Sequence, residues 1–586
     1  MEALYVSSIS SMVNICLWIG SFKNSELKYL SLFSFLENTA KRHPNSPALC
    51  YVGEEYILYK DFYKKSKELA ISLQSHKIAS GDKVAIWSEN GPNWLIAYFA
   101  IISIGAVAVP VLPDFSAKEA AHIFDHSDSK IVFLSDSQVR KLRAANVKPS
   151  LSLVLIKDFS ENIDNEINGQ DSFCSVDEEK YNNFKLPKID SKSLASIIYT
   201  SGTTGTSKGV MLSHYNLMAN SIQGWNTYPV DQNDRFLSIL PMSHSYEFTL
   251  GNIYGVMSGA SIHYIKKPPT ASVLMPALKL VKPTLMFTVP LIMDKIFKSK
   301  IRPELTNTSF KRFLYGIPFF RKLLHRVAGK KLYNTFGGKL GFFGIGGAKL
   351  DADVDRFLYE AKFPYSIGYG LTETSPLLAG TQPGKTRVGS TGPAVLGVDI
   401  KLRNIDPKTG EGEVVAYGPN IMQGYYKADD LNKDVFTDDG GFITGDTGIF
   451  DKDNYLYIKG RIKNMILGPS GENIFPEEIE AQINKSEWVL ESLVYELKGK
   501  VVARVEINQE EFQKQFSHLK GKTEEMEKAI SDLLINIRKN VNTEVNRFSK
   551  LSNIFEQKEP FIKTPTKKIK RFLYKDKDSH ENPLDK

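Results

Sequence analysis

The sequence has only three cysteines in 586 residues, and Cys16, Cys50 and Cys174 lie far apart. An odd and scattered set argues against a disulfide framework and favours a reducing compartment, so we expect a cytoplasmic protein. The ten histidines show no metal-ligand spacing such as H-E-x-x-H. The chain also lacks zinc-ligand spacing and any stripe of basic residues interleaved with aromatic residues, so nucleic acid is not an expected partner.

Long apolar runs are also scarce. The run from Met12 to Phe22 is about half the length that a spanning helix needs, and no basic region precedes it. The run from Trp94 to Leu112 is uncharged, but Gly105 breaks it and a β-like stretch follows. We therefore expect a buried helix followed by a buried strand rather than a membrane span.

Charge of one sign is not dominant, because the formal net charge is only +8. Much of it lies in the tail from Lys558 to Lys586, which a solvated terminus would explain. Anionic partners remain open, namely a nucleotide, a phosphopantetheine cofactor or the inner face of a membrane. Residues 1–30 have no assigned role, and a membrane-surface contact, an uncleaved extension and an upstream start are the alternatives.

The order of elements predicts an α/β fold. Short apolar strands at Lys83–Trp87, Ala106–Val111 and Lys130–Leu134 alternate with helix-compatible stretches at Asn93–Gly105 and Ala117–His126. This alternation predicts parallel sheet covered by helices. Similar alternation recurs over residues 197–289.

The pattern changes twice towards the C-terminus. Short strands between Gly, Asp, Asn and Pro turns at 389–458 indicate a small antiparallel or barrel-like piece. Apolar spacings of three and four over 525–541 indicate one face of a helix. The domains that we predict are an extension over residues 1–30, a large domain over 31–462 and a small α+β domain over 463–586.

The stretch Tyr199–Gly209 reads Y-T-S-G-T-T-G-T-S-K-G. Glycines let backbone N–H groups approach an anion, hydroxyls donate to phosphate oxygens, and Lys208 supplies a point charge. The common P-loop pattern does not fit, because it would need glycine at Ser207. We interpret the stretch as a phosphate-binding loop, with a flexible Ser/Gly loop as the alternative.

The same stretch resembles the phosphate-binding signature of the adenylate-forming superfamily, which comprises acyl-CoA synthetases, peptide-synthetase adenylation domains and luciferases. Further signatures follow in the family's order, and together they span roughly residues 33–574. The resemblance implies that ATP, Mg²⁺ and coenzyme A take part. The ATP-binding residues that it implies in this loop are Thr200, Ser201, Gly202, Thr203, Thr204, Gly205 and Lys208.

The second signature is Gly368–Pro376, which reads G-Y-G-L-T-E-T-S-P. A carboxylate beside a hydroxyl on a glycine-bounded loop can hold Mg²⁺ together with phosphates. By resemblance, Glu373 and Thr200 are the Mg²⁺ ligands. The nucleotide contacts that the resemblance adds are Tyr369 on adenine, Gly370, Thr372 on phosphate, and the adenine-side loop Gly346-Gly347-Ala348.

Two further signatures are Thr444-Gly445-Asp446 and Gly460-Arg461-Ile462-Lys463. Two acceptor oxygens let a carboxylate take both ribose hydroxyls, and the resemblance gives this role to Asp446. It also implies that Arg461 reaches the nucleotide and that Lys463 is the hinge between the large and small domains.

The last signature, close to P-K-T-x-x-G-K-I-x-R, lies at residues 562–571 and implies that Lys568 is the adenylation lysine. Attack of a carboxylate on the α-phosphate brings two anions together, so a cation is needed there. The match is imperfect, because Ile562 stands where proline is usual and Lys567 where glycine is usual. Lys567 and Lys570 therefore remain alternatives.

The segment Pro241–Glu247 resembles the acid-pocket segment of long-chain acyl-CoA synthetases, which implies that His244 lies near the acyl carboxylate; a structural histidine is the alternative. The expected function is ATP-dependent activation of a long-chain fatty acid to acyl-AMP and then to acyl-CoA. Medium-chain or aryl acids, a carrier-protein thiol as acceptor, and a non-catalytic nucleotide- or lipid-binding relative are the alternatives. The oligomeric state stays open.

Overall fold

A helix that is apolar on all sides lies at the centre of the fold. In Pro92–Ser103 every residue except Asn93 is buried. The helix contacts strand Pro47–Tyr51 of one sheet and strands Lys83–Trp87 and Val107–Val111 of another. A helix between two sheets needs no polar face, which explains the long apolar run in the sequence. No helix in the described part of the chain is long and apolar enough to cross a bilayer.

The computed structural model describes residues 30–160, 176–201, 207–467, 473–509, 512–513, 516, 523–564 and 568–574. The N-terminal extension over residues 1–30 lies outside these ranges apart from its last residue.

The first seven-stranded sheet is parallel except at one edge, where the two final strands are antiparallel. In spatial order its strands are Tyr365–Ile367, Phe342–Ile345, Leu285–Thr288, Arg235–Ser238, Ser261–Tyr264, Pro47–Tyr51 and Ile57–Leu58.

The second seven-stranded sheet begins with antiparallel pairs and continues parallel. Its strands in spatial order are Gly424–Tyr425, Ser207–Ser213, Leu194–Ser201, Val107–Val111, Lys83–Trp87, Ser129–Leu134 and Ser152–Leu155. One hydrophobic cluster contains residues of both large sheets and of the helix between them. The predicted parallel α/β fold is therefore confirmed, with antiparallel strands added at the edges.

The described chain contains α-helices, π-helices and 3₁₀ turns. The α-helices up to residue 360 are Leu32–Arg42, Tyr59–Ser75, Pro92–Ser103, Ala117–Ser127, Asp136–Ala144, Glu178–Asn183, His214–Thr227, Tyr254–Ser258, Ala271–Val281, Pro290–Ile296, Arg302–Thr306, Ser309–Gly316, Pro318–Thr335 and Ala352–Glu360. The π-helices are Tyr246–Ile253 and Phe297–Ile301, and the 3₁₀ turns are Thr372–Thr374, Ile462–Asn464 and Arg571–Leu573.

The region after residue 389 holds a four-stranded antiparallel sheet, as its turn-rich sequence predicts. Its strands are Asp399–Arg403, Gly412–Tyr417, Phe442–Phe450 and Leu456–Arg461, and helix Asp429–Val435 lies between the second and third. A two-stranded ribbon, Tyr369–Gly370 with Leu377–Ala379, precedes it.

The C-terminal part has its own hydrophobic cluster, which contains only residues from Ile466 onwards. The cluster packs a three-stranded sheet, Val489–Leu497, Lys500–Ile507 and Asn553–Glu556, against helices Pro476–Ile483 and Thr523–Glu544. A small ribbon, Ile466–Leu467 with Asn473–Ile474, stands at its start. Helix Thr523–Glu544 contains the predicted amphipathic stretch. The domain boundary at Lys463 stays a prediction.

Candidate active site

Two antiparallel strands present the predicted phosphate loop. Strand Leu194–Ser201 pairs with strand Ser207–Ser213 in a register that sets Thr200 opposite Lys208. The pairing holds Thr200 and Lys208 side by side at the base of the loop. The predicted residues Gly202, Thr203, Thr204 and Gly205, and the side chain of Ser201, lie outside the described residues.

The second signature folds into a tight ribbon that ends in the 3₁₀ turn Thr372–Thr374. A Cβ added at Gly370 would stand 1.7 Å from the carbonyl oxygen of Pro376, so only glycine fits there. Ser245 Oγ lies 3.3 Å from Thr372 Oγ1 and links this turn to the predicted acid-pocket segment. The ribbon thereby fixes the position of Glu373 relative to both regions.

Glu373 is joined to Lys208 through a tyrosine that no signature marked. The hydroxyl of Tyr425 donates to Glu373 Oε1 over 2.8 Å, and Lys208 Nζ lies 5.2 Å from the centroid of the same ring. The pKa of Lys208 is lowered by burial and by the nearby charge of Lys463, while Glu373 opposes the shift. Anionic phosphate near Lys208 would favour the charged amine.

Sheet register creates the third part of the site. Asp446 and Arg461 are direct partners across antiparallel strands, and Arg461 Nε lies 2.8 Å from Asp446 Oδ1. The hydroxyl of Tyr369 donates to Asp446 Oδ2 over 2.8 Å. Burial raises the pKa of Asp446, and Arg461 and Tyr369 oppose the rise. Tyr369, predicted as the adenine contact, thus stands directly beside the predicted ribose ligand.

The two described ends of the C-terminal signature pair with each other. The backbone N–H of Thr564 donates to Lys568 O over 2.7 Å, and Lys568 N–H donates back to Thr564 Oγ1 over 3.1 Å. Arg571 Nη2 lies 2.6 Å from Glu480 Oε2 and attaches this segment to helix Pro476–Ile483. Lys567, one of the alternative lysines, lies outside the described residues.

Lys568 interacts electrostatically with residues of three of the four preceding signatures, namely Glu373, Asp446 and Arg461. Desolvation is the largest cause that lowers the pKa of Lys568, and the charge of Arg461 lowers it further. The charges of Asp446 and Glu373 raise it. No residue of the large sheets is near Lys568 in sequence, so tertiary structure alone creates this cluster. The C-terminal part is held over the site by backbone contacts as well, because Lys298 Nζ donates to Asn484 O and Arg302 Nη1 to Lys485 O.

His244 follows strand Arg235–Ser238, in a turn that Asn90 fixes by accepting from Met242 N–H and donating to Leu240 O. Desolvation and the nearby Lys568 lower the pKa of His244 to about 4. The imidazole is therefore neutral near pH 7 and can act as a hydrogen-bonding group but not as a cation.

The predicted adenine-side loop divides in two. Gly346 is buried against the ring of Tyr246, and its N–H donates to Thr288 O over 3.1 Å. Gly347 and Ala348 are exposed to solvent, and Gly347 has a φ of +87° that favours glycine. The loop thus combines a buried anchor with an exposed edge.

The residues present suit Mg²⁺ that is shared with phosphates. The described residues contain no group of three or more acidic, histidine or cysteine side chains that could hold a metal alone. Mg²⁺ usually takes one or two protein carboxylates and completes its shell with phosphate and water. A single carboxylate, Glu373, near the base of a phosphate loop fits that pattern.

A narrow apolar cavity extends from the acid-pocket segment into the first sheet. It holds about 40 Å³ and is closed mainly by aromatic rings, with glycines elsewhere in its wall. The residues that line it include Gly224, Tyr228, Tyr246, Tyr254, Phe287, Phe342, Gly344 and Gly368. Strands Leu285–Thr288 and Phe342–Ile345 form one side.

Sequence reasoning did not assign two residues that the structure places here. Tyr425 stands in a Gly-Tyr-Tyr stretch without a motif of its own, so only strand pairing with Val210 reveals its position. In the sequence, Glu247 is only the last member of the segment Pro241–Glu247 and has no role of its own. It is buried in a π-helix, a local distortion often found at functional sites, and its Oε2 has no hydrogen-bond partner in the described structure.

Comparison with known proteins gives a consistent result. The sequence pattern described as AMP-binding enzyme matches residues 36–426. A long chain acyl-CoA synthetase 7, peroxisomal, from Arabidopsis thaliana is 28% identical over 476 residues, covering 76% of this chain and 67% of that protein. A long-chain-fatty-acid–acyl-carrier-protein ligase from the same plant is 28% identical over 531 residues, covering 75% and 70%.

A solved structure shares the fold. The O-succinylbenzoate coenzyme A synthetase of Bacillus subtilis, in complex with ATP and magnesium ion, superposes with a TM-score of 0.69 at 20% identity. The superposition covers 92% of this chain and 99% of that one. The α/β architecture with a separate C-terminal β-rich region is therefore that of this group of structures.

We expect Glu247→Gln to change the pH dependence of stability. Burial raises the pKa of Glu247 from 4.5 to about 8, although hydrogen bonds from Ser238 and Leu240 act to lower it. The titratable neighbours of Glu247 are Tyr246 and Tyr264. Between these values the unfolded chain loses a proton that the folded protein keeps. The free energy of unfolding therefore falls as pH rises, by at most about 1.4 kcal/mol per pH unit.

Glutamine does not titrate, so the free energy of unfolding of Glu247→Gln lacks this fall with pH. The stability of the variant relative to wild type should therefore increase from pH 5 to pH 8 in denaturant titrations. Glu55→Gln, at an exposed carboxylate, is the matched control. A stability difference for Glu247→Gln that stays constant over this range would contradict the assignment.

Proposed function

This chain belongs to the AMP-binding enzyme family, and from that premise we propose that it activates a long-chain fatty acid with ATP and passes the acyl group to coenzyme A. The observation that supports the proposal most directly is the convergence of Lys568 with Glu373, Asp446 and Arg461. These residues come from separate parts of the chain and carry the charges that acyl-AMP formation needs.

In the first half-reaction, a carboxylate oxygen of the acid attacks the α-phosphorus of ATP. A new P–O bond forms, the bond from the α-phosphorus to the bridging oxygen breaks, and pyrophosphate leaves with the electron pair. Lys568 supplies positive charge where two anions approach, and Lys208 binds the phosphates. Asp446 accepts from the ribose hydroxyls, and Arg461 keeps that carboxylate ionised and oriented.

Mg²⁺, held by Glu373 and Thr200, would neutralise phosphate charge when bound. Tyr425 orients the carboxylate of Glu373 by donating to one of its oxygens. The neutral imidazole of His244 can donate to the acid's carboxylate without competing with Lys568 for negative charge. Little covalent chemistry is required of the protein, so positioning and electrostatics carry the catalysis.

In the second half-reaction, the sulfur of coenzyme A attacks the acyl carbonyl carbon. The thiol proton passes to solvent, the carbonyl–phosphate bond breaks, and AMP leaves. In the conformation described, Lys568 interacts with Glu373, Asp446 and Arg461, and in this proposal the C-terminal part turns about Lys463 before a thiol approaches. Contacts such as Lys298 with Asn484 would then break.

The long-chain assignment is supported by the names of two relatives. The apolar cavity of about 40 Å³ has room for little more than one water molecule, whose share of liquid volume is about 30 Å³. A long chain would need more room, which movement of lining side chains such as Tyr246 and Phe287 would supply. Chain length is therefore the property to measure first.

Pyrophosphate release with acids of graded chain length, in the presence of ATP, Mg²⁺ and coenzyme A, should be highest with long-chain fatty acids. Highest activity with short or aryl acids would contradict the long-chain assignment. No pyrophosphate release with any added acid would favour a non-catalytic relative.

Replacing Lys568 by alanine should separate the two half-reactions. Loss of one preorganised charge typically costs about 100- to 1000-fold in rate, so pyrophosphate exchange should fall by at least about 100-fold. Thioester formation from preformed acyl-AMP should stay within about twofold of wild type, because the lysine has left the site by then.

Lys570→Ala is the matched control, since Lys570 stands two residues away in the same basic segment. Pyrophosphate exchange by Lys568→Ala at the wild-type rate, or an equal loss in Lys570→Ala, would show that the catalytic lysine is misassigned.

The acceptor can be tested with acyl-AMP supplied directly. We expect coenzyme A to consume the adenylate at least about tenfold faster than an acyl-carrier protein at equal concentration, because a small thiol needs only a channel and no docking surface. Faster transfer to the carrier protein would show that the carrier protein, and not coenzyme A, is the acceptor. The proposal for the first half-reaction would be unaffected.

A further inference from the structure

Two consecutive helices, Ser309–Gly316 and Pro318–Thr335, expose an unusual amount of apolar surface. Helix Ser309–Gly316 has no buried residue. Across the pair, side chains that normally pack inside a protein are exposed: Phe310 (70%), Phe313 (67%), Phe319 (73%), Phe320 (39%), Leu323 (53%) and Val327 (67%). An apolar patch this concentrated, unlike isolated exposed residues, indicates a surface that meets another phase or molecule.

The same two helices carry positive charge only. Residues 309–335 contain seven lysines and arginines and no aspartate or glutamate. These 27 residues carry a formal charge of +7, against +8 for the whole chain. Acidic partners come from outside the pair, as Glu360 does for Arg321 and Glu304 for Lys331. No ion pair is recorded in the described structure for Arg312, Lys322, Arg326 or Lys330.

The apolar and basic residues share one side of the longer helix. Phe319, Leu323 and Val327 recur every four residues, and the basic residues Lys322, Arg326 and Lys330 recur one position earlier. Residues four apart lie above one another on a helix, so the two sets form adjacent parallel stripes. We call the surface formed by these six residues together with Phe310, Arg312 and Phe313 the basic–aromatic face.

The opposite side of the helix fixes this face to the protein. His325, Gly329 and Leu332 are buried, and a Cβ added at Gly329 would lie 2.5 Å from Ala361 Cβ. Glu360 holds both Arg321 Nη2 and His325 Nδ1 at 2.8 Å. The basic–aromatic face is therefore presented on a firmly packed helix.

We propose that the basic–aromatic face binds the surface of a membrane that contains anionic lipid. Lysine and arginine side chains pair with lipid phosphates, while phenylalanine and leucine enter the boundary between headgroups and acyl chains. A second copy of this chain fits less well, because two such faces would bring four positive charges against four. Single-stranded nucleic acid would leave Leu323 and Val327 without a stacking partner.

The position of the face suits delivery of an apolar substrate. The two helices lie within the connection between strands Leu285–Thr288 and Phe342–Ile345, and those strands supply Phe287, Phe342 and Gly344 to the apolar cavity. The expectation of a membrane contact from the sequence concerned the termini, which lie largely outside the described residues. The structure draws attention to an internal segment instead.

Sedimentation of the full chain with vesicles tests the proposal. We expect binding to phosphatidylcholine vesicles that contain phosphatidylglycerol, weak binding to phosphatidylcholine alone, and loss of binding at high salt. Each basic residue near an anionic membrane strengthens binding about fivefold. The triple variant Lys322→Glu, Arg326→Glu, Lys330→Glu should therefore bind at least on the order of 100-fold more weakly. The variant Phe310→Ser, Phe313→Ser, Phe319→Ser should bind at least about tenfold more weakly but stay salt-sensitive.

The matched control reverses three exposed lysines elsewhere, Lys65→Glu, Lys408→Glu and Lys452→Glu, and should bind within about twofold of wild type. Thermal melting and pyrophosphate release with a water-soluble acid confirm that each variant is folded. Equal weakening in the control would show that net charge alone matters and would overturn the proposal. So would binding that does not depend on anionic lipid, no vesicle binding by wild type, or an oligomer that the serine variant dissociates.

Discussion

The site depends on mutual compensation between buried carboxylates and cations. Asp446 is buried, and burial alone would favour its neutral acid form. Arg461, its direct strand partner, offsets that cost at 2.8 Å, and Lys568 adds charge from the C-terminal part. Burial of the charged forms of Arg461 and Lys568 would in turn be unfavourable without the nearby carboxylates. An arrangement of this kind keeps charge concentrated where, in the proposed reaction, ATP phosphates and a carboxylate would meet.

The rest of the structure serves to bring these charges together. The helix Pro92–Ser103 fills the space between two seven-stranded sheets and holds them as one body, as the shared hydrophobic cluster shows. The sheet Leu194–Ser201 with Ser207–Ser213 presents Lys208, the ribbon Tyr369–Gly370 presents Glu373, and the four-stranded sheet presents Asp446. The C-terminal part has a separate core and supplies Lys568. A separate core suits the domain movement that the proposed two-step reaction requires.

Several side chains do more than one task, which only their contacts show. Tyr369 was expected to face adenine and also donates to Asp446. Ser245 joins the acid-pocket segment to Thr372, so the acid and nucleotide regions are linked through hydroxyls. The exposed phenylalanines of residues 309–335 resemble loose apolar residues in the sequence. Packing of His325, Gly329 and Leu332 on the other side turns them into one face with the basic residues.

The α/β alternation, the antiparallel piece and the order of the signatures could be predicted from the sequence, because periodicity and glycine-bounded loops are local properties. Strand Lys83–Trp87 was predicted with its observed ends, and helix Pro92–Ser103 within two residues. Tertiary structure alone decided that Tyr425 bridges Lys208 and Glu373, that Glu247 is buried with an unpaired oxygen, and that Lys568 meets Asp446. These contacts join residues far apart in sequence, and their energies come from burial and charge that no local pattern encodes.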